Sequence, residues 1–398
     1  MKPKDTVCVL ANGCPENRID AAQIQEFFKD NNLNITSDYR QADLIVFNAC
    51  GATQYSQEGA ITIIHQIKAN KKPHAEFVVC GCLPKINQAI FDEAFQGTAF
   101  RVDKTHWFSE CIETIENPEH CQANYLVPIV SGCNIPKMKD ILSLLVIPRL
   151  ITRIYYYRFK QGINNITPQT FCIKVSTGCL NACAFCAIRH SRGKVRSKPI
   201  CQILKEFEKG YAKGYREFTL IGTDLGAYGR DRGTTLAALL RELVKREGDY
   251  EIKLQYIQPR FLIEMMPELL EIFQRRKISY LCSAAESGNN RILRLMKRGY
   301  RIEDLKEAIL TLNNEFPEIK TGTQVIVGYP SETEEEFQDT VSLLDEVRFD
   351  FIEAHLYQPR PNTMASKLKD QIPHRVAAGR LLNLYIRFSL KGHRVFIY

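Results

Sequence analysis

The feature that most constrains this chain is a loop of three cysteines between a short apolar strand and a basic turn. The stretch FCIKVSTGCLNACAFCAIRHSRGKVRSKP holds the loop triad (Cys179, Cys183 and Cys186) in a C-x3-C-x2-C array. Three thiolates on one tight loop can hold three irons of a cubane iron–sulfur cluster and leave the fourth iron open to a substrate or cofactor. A plain electron carrier usually closes its cluster with a fourth cysteine, so the loop favours a cluster that does chemistry. A structural zinc knuckle is the alternative, although zinc usually takes four ligands in paired C-x2-C spacing.

Length and cysteine usage bound the class of protein. The 398 residues suggest two or three domains, and the 14 cysteines come without the pattern of a signal peptide or a membrane span. We therefore expect a cytoplasmic protein whose thiolates serve metal or redox chemistry rather than disulfides. The net charge of +8 fits an anionic partner such as RNA but does not establish one.

The N-terminal part of the chain alternates strands with helices. The runs TVCVLANGC, ADLIVFNAC and AEFVVCGC each lead into helical sequence, which predicts a parallel sheet in a small flavodoxin-like domain. The N-terminal triad (Cys14, Cys50 and Cys82) closes these three strands. Because the carboxyl ends of parallel strands share one edge of a sheet, the three cysteines are predicted to converge on a second cluster site. Cys8 and Cys80 are interpreted as buried residues outside that site.

The two triads stand in contexts that resemble one enzyme family. The patterns GCPxN…NxCG…GC and GCxNxCxFCxIxxxRGxxRS are similar to those of the radical S-adenosylmethionine (radical SAM) methylthiotransferases, over about residues 5–100 and 171–390. Such enzymes replace a C–H bond by C–S–CH3 on a tRNA adenosine or a ribosomal-protein aspartate. The resemblance implies a [4Fe-4S] SAM cluster on the loop triad and an auxiliary [4Fe-4S] cluster on the N-terminal triad. It also implies SAM as cofactor and a small electron donor such as flavodoxin or ferredoxin. Since clusters and SAM carry the chemistry, no side chain is assigned a catalytic role.

From residue 171 onward, six strand–helix units predict a partial (β/α)6 radical SAM barrel over residues 171–386, with functional residues at the carboxyl ends of the strands. Two strand ends, IGTDLGAYGRD and AAESGNNRILRLMKRGY, resemble the family's GQD…YG and QSGSxxxLxxMxRxY segments. The residues that the resemblance assigns to SAM binding are Gly222, Thr223, Asp224, Glu286, Ser287 and Arg196. Helix capping at Ser287 and a solvated basic turn around Arg192 and Arg196 are the structural alternatives.

Two segments depart from the family pattern. Residues 103–170 form an atypical basic and apolar insertion with Cys111, Cys121 and Cys133, and residues 387–398 read as one strand left from an accessory substrate-binding module. Without that module the chain has less reason to bind folded tRNA, so a peptide or protein substrate is favoured over a tRNA adenosine. Residues 136–160 are the predicted docking element. A helical hairpin against the barrel and a weak membrane-surface contact are its alternatives.

Two other functions stay open at this point. One is another dual-cluster sulfur-insertion enzyme, such as a peptide thioether-forming maturase, which would produce 5′-deoxyadenosine without S-adenosylhomocysteine. The other is a non-catalytic metal- or RNA-binding module with zinc-bound triads.

Overall fold

The computed structural model describes residues 5–99, 122–130, 166–167 and 169–397, which form two compact units. The first unit contains residues 5–99 and 122–130 together with Cys186–Gly193 and Arg360–Asn362. The second contains the rest. Of the predicted insertion, Cys111, Cys121, Cys133 and the docking stretch 136–160 lie outside the described residues. No helix in the described part of the chain is long and apolar enough to cross a membrane.

The first unit is built on a four-stranded parallel sheet in the order β2-β1-β3-β4. Its strands are β1 (Thr6–Ala11), β2 (Asn34–Ile35), β3 (Leu44–Ala49) and β4 (Glu76–Gly81). Its helices are α1 (Pro15–Asp30), α2 (Gln54–Asn70), α3 (Leu83–Ile86), α4 (Gln88–Ala94) and α5 (Ile188–Arg192). The strands are nearly continuous apolar runs because both faces of the sheet are covered. Val7 and Val9 pack in one core cluster, while Cys8 and Leu10 pack in another.

The second unit is built on a seven-stranded parallel sheet in the order β13-β12-β11-β10-β9-β8-β5. Its strands are β5 (Thr170–Lys174), β8 (Glu217–Ile221), β9 (Glu251–Leu254), β10 (Ile278–Cys282), β11 (Lys320–Val327), β12 (Phe351–Leu356) and β13 (Arg394–Ile397). A separate antiparallel pair joins β6 (Ser176–Thr177) to β7 (Arg196–Ser197). The helices are α6 (Ile200–Ala212), α7 (Leu236–Val244), α8 (Pro259–Phe273), α9 (Asn290–Leu295), α10 (Ile302–Glu315), α11 (Glu334–Glu346) and α12 (His374–Leu390).

The predicted architecture, a parallel-sheet domain followed by a partial barrel, is confirmed, with two local differences. The segment 387–398 begins in the end of α12, and its strand β13 extends the large sheet by pairing in parallel with β12, with Phe351 opposite Arg394. Gly392, at φ +86°, makes the turn that sends the chain back from α12 into this strand. Ser331 and Glu334 also match the sequence pattern of a capping box, but the helix α11 is capped two residues later, by Thr333 and Glu336.

Candidate functional site

The N-terminal triad lies where the parallel strands of the first unit end. Cys14 immediately precedes α1, Cys50 follows β3, and Cys82 lies between β4 and α3. A methyl group added at Gly13 would stand 2.7 Å from the Cβ of Cys50, so the turn carrying Cys14 runs directly against Cys50. The N–H of Cys82 donates to the carbonyl of Ala49, the residue before Cys50, at 2.9 Å, so the three cysteines lie on one edge of the sheet.

An asparagine network (Asn12, Asn17 and Asn48) fixes the turns that carry these cysteines. Asn12 Oδ1 accepts a 2.7 Å hydrogen bond from the backbone N–H of Cys50. The side chains of Asn17 and Asn48 each donate to the other's backbone carbonyl, at 3.0 and 2.7 Å. Asn17 Oδ1 also accepts from the N–H of Gly13 at 3.0 Å. The strand ends are thus tied to one another by side-chain amides rather than by the sheet ladder alone.

Two buried cations stand beside the N-terminal triad, and the sequence did not single out this role for either. Arg192, at the end of α5, has a side chain that is only 1% exposed and pairs through Nη1 with Asp20 at 2.5 Å and Glu16 at 3.4 Å. Arg360 donates through Nη2 to the carbonyl of Gly51 at 2.6 Å and to Gln57 Oε1 at 2.8 Å. The interpretation of Arg192 as part of a solvated basic turn is wrong, because α1 supplies two carboxylates that bury it.

Burial and neighbouring charges raise the pKa values of two thiols of the N-terminal triad, those of Cys50 and Cys14. Burial raises the pKa of the Cys50 thiol, nearby Cys82 raises it further, and Arg192 lowers it. Cys14 is exposed as a residue, yet desolvation of its thiol raises the pKa to about 12, with Cys50 and Glu16 adding to the rise and Arg192 opposing it. Since metal binds the thiolate, loading of this site releases protons.

Two cysteines of the loop triad, Cys179 and Cys183, accept hydrogen bonds from groups of the second unit. Cys179 Sγ accepts hydrogen bonds from the backbone N–H and the Nδ2 of Asn181, at 3.3 and 3.2 Å. Cys183 Sγ accepts from Arg298 Nη1 at 3.3 Å. Desolvation raises the pKa of Cys179 to about 11, nearby Asp224 raises it as well, and the Asn181 donors lower it. Cys186 is half-buried and opens the segment that leads into α5.

The three predicted residues at the end of β8 contact the cluster loop or its flanks. Thr223 Oγ1 accepts from the N–H of Gly178 at 2.9 Å, and a methyl group on Gly222 would stand 2.7 Å from Ser176 Oγ. Asp224 is buried and accepts from Asn181 Nδ2 at 2.7 Å. It also accepts from the N–H groups of Gly226 and Gln258, at 3.0 and 3.1 Å. These contacts position the loop, whatever else the residues bind.

Glu286, which follows β10, forms a buried pair with Arg298. Arg298 was not among the residues that the sequence assigned to SAM binding. Glu286 lies at φ +65°, a strained conformation for this residue type, and its Oε1 stands 3.8 Å from Arg298 Nη2. Burial raises the pKa of the Glu286 carboxyl, while Arg298 and His355 lower it. Arg298 Nη2 donates to the carbonyl of Ala284 at 2.7 Å. The signal for Arg298 was its place in the MKRGY segment, where it matches the arginine of the family's MxRxY pattern.

The remaining two predicted SAM contacts have different surroundings. Ser287 Oγ accepts from the N–H of Asn289 at 3.2 Å, and Asn289 caps α9, so the capping alternative holds for this turn. Arg196 is exposed in β7, opposite Thr177 of β6. Ser287 is thus buried in a helix-capping turn, whereas Arg196 is exposed to solvent.

The donor set of each triad suits a cubane cluster. Within residues 5–99, 122–130, 166–167 and 169–397, no group of three or more His, Cys, Asp or Glu side chains is arranged to hold a single metal ion. A cubane places each thiolate on a different iron, so its three sulfurs stand farther apart than the ligands of one ion. Three thiols converging on one sheet edge, with cations beside them, fit such an anionic cluster.

Two family models match the chain. The model of the Radical SAM superfamily matches residues 173–344, which include the loop triad, Asp224, Glu286 and Arg298. The model described as Uncharacterized protein family UPF0004 matches residues 6–102, which include the N-terminal triad.

Similar proteins point to one kind of reaction. The chain is 32% identical over 371 residues, 93% of its length and 84% of the relative's, to the Threonylcarbamoyladenosine tRNA methylthiotransferase MtaB of Aquifex aeolicus (strain VF5). It is 29% identical over 386 residues, 95% of its length and 76% of the relative's, to the Ribosomal protein uS12 methylthiotransferase RimO of Chlamydia pneumoniae. Among solved structures, the radical S-adenosylmethionine methyltransferase TsrM of Kitasatospora setae has a TM-score of 0.59 at 16% identity, covering 91% of this chain and 77% of that one. At that identity the likeness concerns the fold alone.

Proposed function

Because the chain belongs to the radical SAM methylthiotransferase family, we propose that it uses SAM and two [4Fe-4S] clusters to replace a C–H bond of a tRNA adenosine by C–S–CH3. Transfer of a methylthio group follows from the family and its named members. The observation that carries the two-cluster assignment is the convergence of three cysteines at the end of the N-terminal sheet, in addition to the C-x3-C-x2-C loop. The loop triad would hold the SAM cluster and the N-terminal triad the auxiliary cluster.

The bound cofactors supply what side chains cannot, namely an organic radical strong enough to take hydrogen from an unactivated C–H bond and a sulfur atom to put in its place. The residues of the chain bind, orient and neutralise. Asp224 holds the Asn181 amide, which in turn donates to Cys179 and fixes the direction of that ligand. Thr223 holds the backbone of Gly178 at the start of the loop.

Glu286 and Arg298 offer opposite charges to the amino-acid end of SAM. Arg298 is buried, its Nε has no hydrogen-bond partner among the described residues, and the guanidinium reaches Cys183. A guanidinium with an unused donor suits the SAM carboxylate, and the buried Glu286 carboxylate suits the ammonium group. Glu286 follows the carboxyl end of β10, where ligands of such folds bind, and Arg298 reaches the same strand end through its hydrogen bond to the carbonyl of Ala284.

The comparisons support a tRNA substrate over a protein. The tRNA-modifying relative has the higher identity, 32% against 29%, and the chain spans more of it, 84% against 76%. The net charge of +8 also suits a polyanion. The preference for a peptide or protein rested on where the chain ends and on a stretch outside the described residues, so it becomes the alternative outcome of the test. A flavodoxin- or ferredoxin-type electron donor and a cytoplasmic location remain predictions.

The first experiment is anaerobic reconstitution with iron and sulfide, in the wild type and in two triple variants. Cys14→Ala/Cys50→Ala/Cys82→Ala removes one triad, and Cys179→Ala/Cys183→Ala/Cys186→Ala removes the other. We expect two four-iron clusters in the wild type and one in each variant. Cys201→Ala, at an exposed cysteine on α6, is the matched control and should keep both clusters. Full iron content in the first variant would remove the auxiliary site and methylthio transfer with it.

The second experiment identifies the substrate by products. The reduced enzyme is incubated with SAM and, in separate reactions, with tRNA carrying N6-threonylcarbamoyladenosine and with ribosomal protein uS12. Both 5′-deoxyadenosine and S-adenosylhomocysteine should form with the tRNA, and mass spectrometry should find SCH3 in place of H on the nucleoside. Both products with uS12 alone would make the protein the substrate. Turnover that yields 5′-deoxyadenosine without S-adenosylhomocysteine would instead favour the thioether-forming alternative.

A further inference from the structure

Of the two terminal nitrogens of Arg192, only Nη1 has a partner among the described residues. Its Nη1 is taken by the carboxylates of Asp20 and Glu16, both on α1, at 2.5 and 3.4 Å. Its Nη2 is buried and has no hydrogen-bond partner among the described residues. Buried donors in folded proteins are almost always satisfied, so a guanidinium with one nitrogen unpaired points to an acceptor that the polypeptide does not supply.

The acceptor belongs on the side of the N-terminal triad. The helix α5, which carries Arg192, lies against the turn that carries Cys82: Ala187 packs with Cys82 and Ile86, and the carbonyl of Ser191 accepts from Lys85 Nζ at 3.5 Å. The carboxylates of Asp20 and Glu16 occupy the other nitrogen, and no exposed surface is available to a side chain that is 1% exposed. A group held by the three thiols would be an acceptor that the polypeptide itself does not supply.

We propose that Arg192 is a positioning residue whose Nη2 donates a hydrogen bond to a sulfur of the auxiliary cluster, either a bridging sulfide or a thiolate of the N-terminal triad. This inference rests on the proposed function, because it needs a cluster at that triad. Asp20 and Glu16 hold the guanidinium in place, so the hydrogen bond requires no side-chain reordering when the cluster is bound. Sulfur in such clusters is anionic, and a charge-assisted donor stabilises it.

The consequence is a higher reduction potential for the auxiliary cluster. Hydrogen bonds to cluster sulfurs and nearby charge are main determinants of that potential, and a donor favours the more negative, reduced state. Arg192 would therefore make the auxiliary cluster easier to reduce, and it would slow the release of iron from the cluster. A residue that only packed α5 against α1 would change stability and leave the potential alone.

The test uses the full chain with the loop triad replaced by alanine, so that the auxiliary cluster is the only one observed. The midpoint potential is measured by redox titration with electron paramagnetic resonance detection, and the rate of iron release to a chelator is measured in parallel. The variants are Arg192→Lys, which keeps a cation for Asp20 and Glu16 but lacks the second planar nitrogen, and Arg192→Gln, which removes the charge as well. Arg189→Gln, an exposed arginine of the same helix α5, is the control.

We expect about a tenfold loss in the equilibrium for reduction in Arg192→Lys, which is about 59 mV for one electron, and a larger loss in Arg192→Gln. Iron release should be faster in both, and Arg189→Gln should match the parent. An intact cluster whose potential is unchanged in Arg192→Lys would overturn the proposal. Arg192→Gln leaves two buried carboxylates without a cation and can fail to fold, in which case Arg192→Lys decides. Absence of the cluster from the parent itself is a failure of the proposed function, and it is seen before any Arg192 variant is made.

Discussion

Asp224 accepts a 2.7 Å hydrogen bond from Asn181 Nδ2, the same amide group that donates to Cys179 Sγ at 3.2 Å. A carboxylate at the end of a barrel strand thereby orients Cys179, a predicted cluster ligand, through one intervening side chain. The arrangement gives Asp224 a role that does not depend on direct contact with SAM.

Asp224→Asn tests this role. The Oδ1 of the new amide can still accept from Gly226 and Gln258, whose N–H groups both donate to Asp224 Oδ1. Its Nδ2 would face the Nδ2 of Asn181, two donors without an acceptor. We expect a folded protein whose 5′-deoxyadenosine formation falls about tenfold to a hundredfold. Asp249→Asn, at an exposed aspartate, should retain the wild-type rate, and equal rates in both variants would contradict the relay.

Arg298→Lys tests the buried guanidinium beside Cys183 and Glu286. Lysine keeps the charge but cannot donate to Cys183, Ala284 and a carboxylate from one planar group. The affinity for SAM, measured by anaerobic equilibrium dialysis, should fall about tenfold or more. The matched control is Arg294→Lys, an exposed arginine four residues earlier in the chain. An unchanged affinity for SAM in Arg298→Lys would show that this arginine stabilises the structure but does not bind SAM.

Gly81→Ala and Gly379→Ala should change stability in opposite directions. Gly81 lies at φ +102° in the turn before Cys82, and an added Cβ would clash with Asn48 Oδ1 and the carbonyl of Ala49. We expect a loss of about 2 kcal/mol or more in the free energy of unfolding, with less iron at the N-terminal triad. Gly379 lies within α12 with open space around it, so alanine should add about 0.5–1 kcal/mol. Urea unfolding of the metal-free proteins measures both, and equal stability of the two variants would refute the steric argument.

Glu332 predicts a pH dependence of stability. Burial raises the pKa of its carboxyl from 4.5 to about 7, although the N–H of Gly328 and the guanidinium of Arg380 oppose the rise. Between pH 4.5 and about 7, the Glu332 carboxyl is therefore protonated in the folded state and ionised in the unfolded state. Stability from this group is complete below about pH 4.5 and is lost as the pH rises through about 7, by about 3 kcal/mol.

The comparison of wild type with Glu332→Gln isolates this contribution. The variant cannot ionise at this position, so its free energy of unfolding should lose the part of the decline between pH 5 and 8 that Glu332 causes. Urea titrations of the metal-free protein at several pH values give the slopes. Parallel profiles for the two proteins would show that Glu332 is ionised throughout this range.

The sequence predicted the parts of the molecule that follow from periodicity and chain order. Strand–helix alternation predicted both parallel sheets, and it placed Cys14, Cys50 and Cys82 at the ends of strands of the first one. What it did not predict were partners distant in sequence. The burial of Arg192 depends on Asp20, 172 positions away, and no local pattern distinguishes such an arginine from its exposed neighbour Arg189.

The strand β13 illustrates the same limit for the fold. Its four residues carry an ordinary edge-strand pattern, and only the parallel pairing with β12 assigns it to the large sheet. Likewise, the choice of Thr333 over Ser331 as the cap of α11 depends on where the backbone leaves β11, because Ser331 lies at φ +66° and cannot take the extended cap conformation. The sheet that a strand joins and the residue that caps a helix are determined here by the tertiary structure, not by the local sequence pattern.

The asparagine network bears on how the protein would respond to oxidative loss of iron from the N-terminal triad. Because Asn12, Asn17 and Asn48 tie the strand ends through bonds that involve no metal, the turns around the N-terminal triad do not depend on a cluster for their shape. Oxidative loss of iron would then leave a folded scaffold with its thiols still gathered, rather than an unfolded chain destined for proteolysis. Restoring such a protein would require new iron and sulfide rather than the synthesis of a new copy.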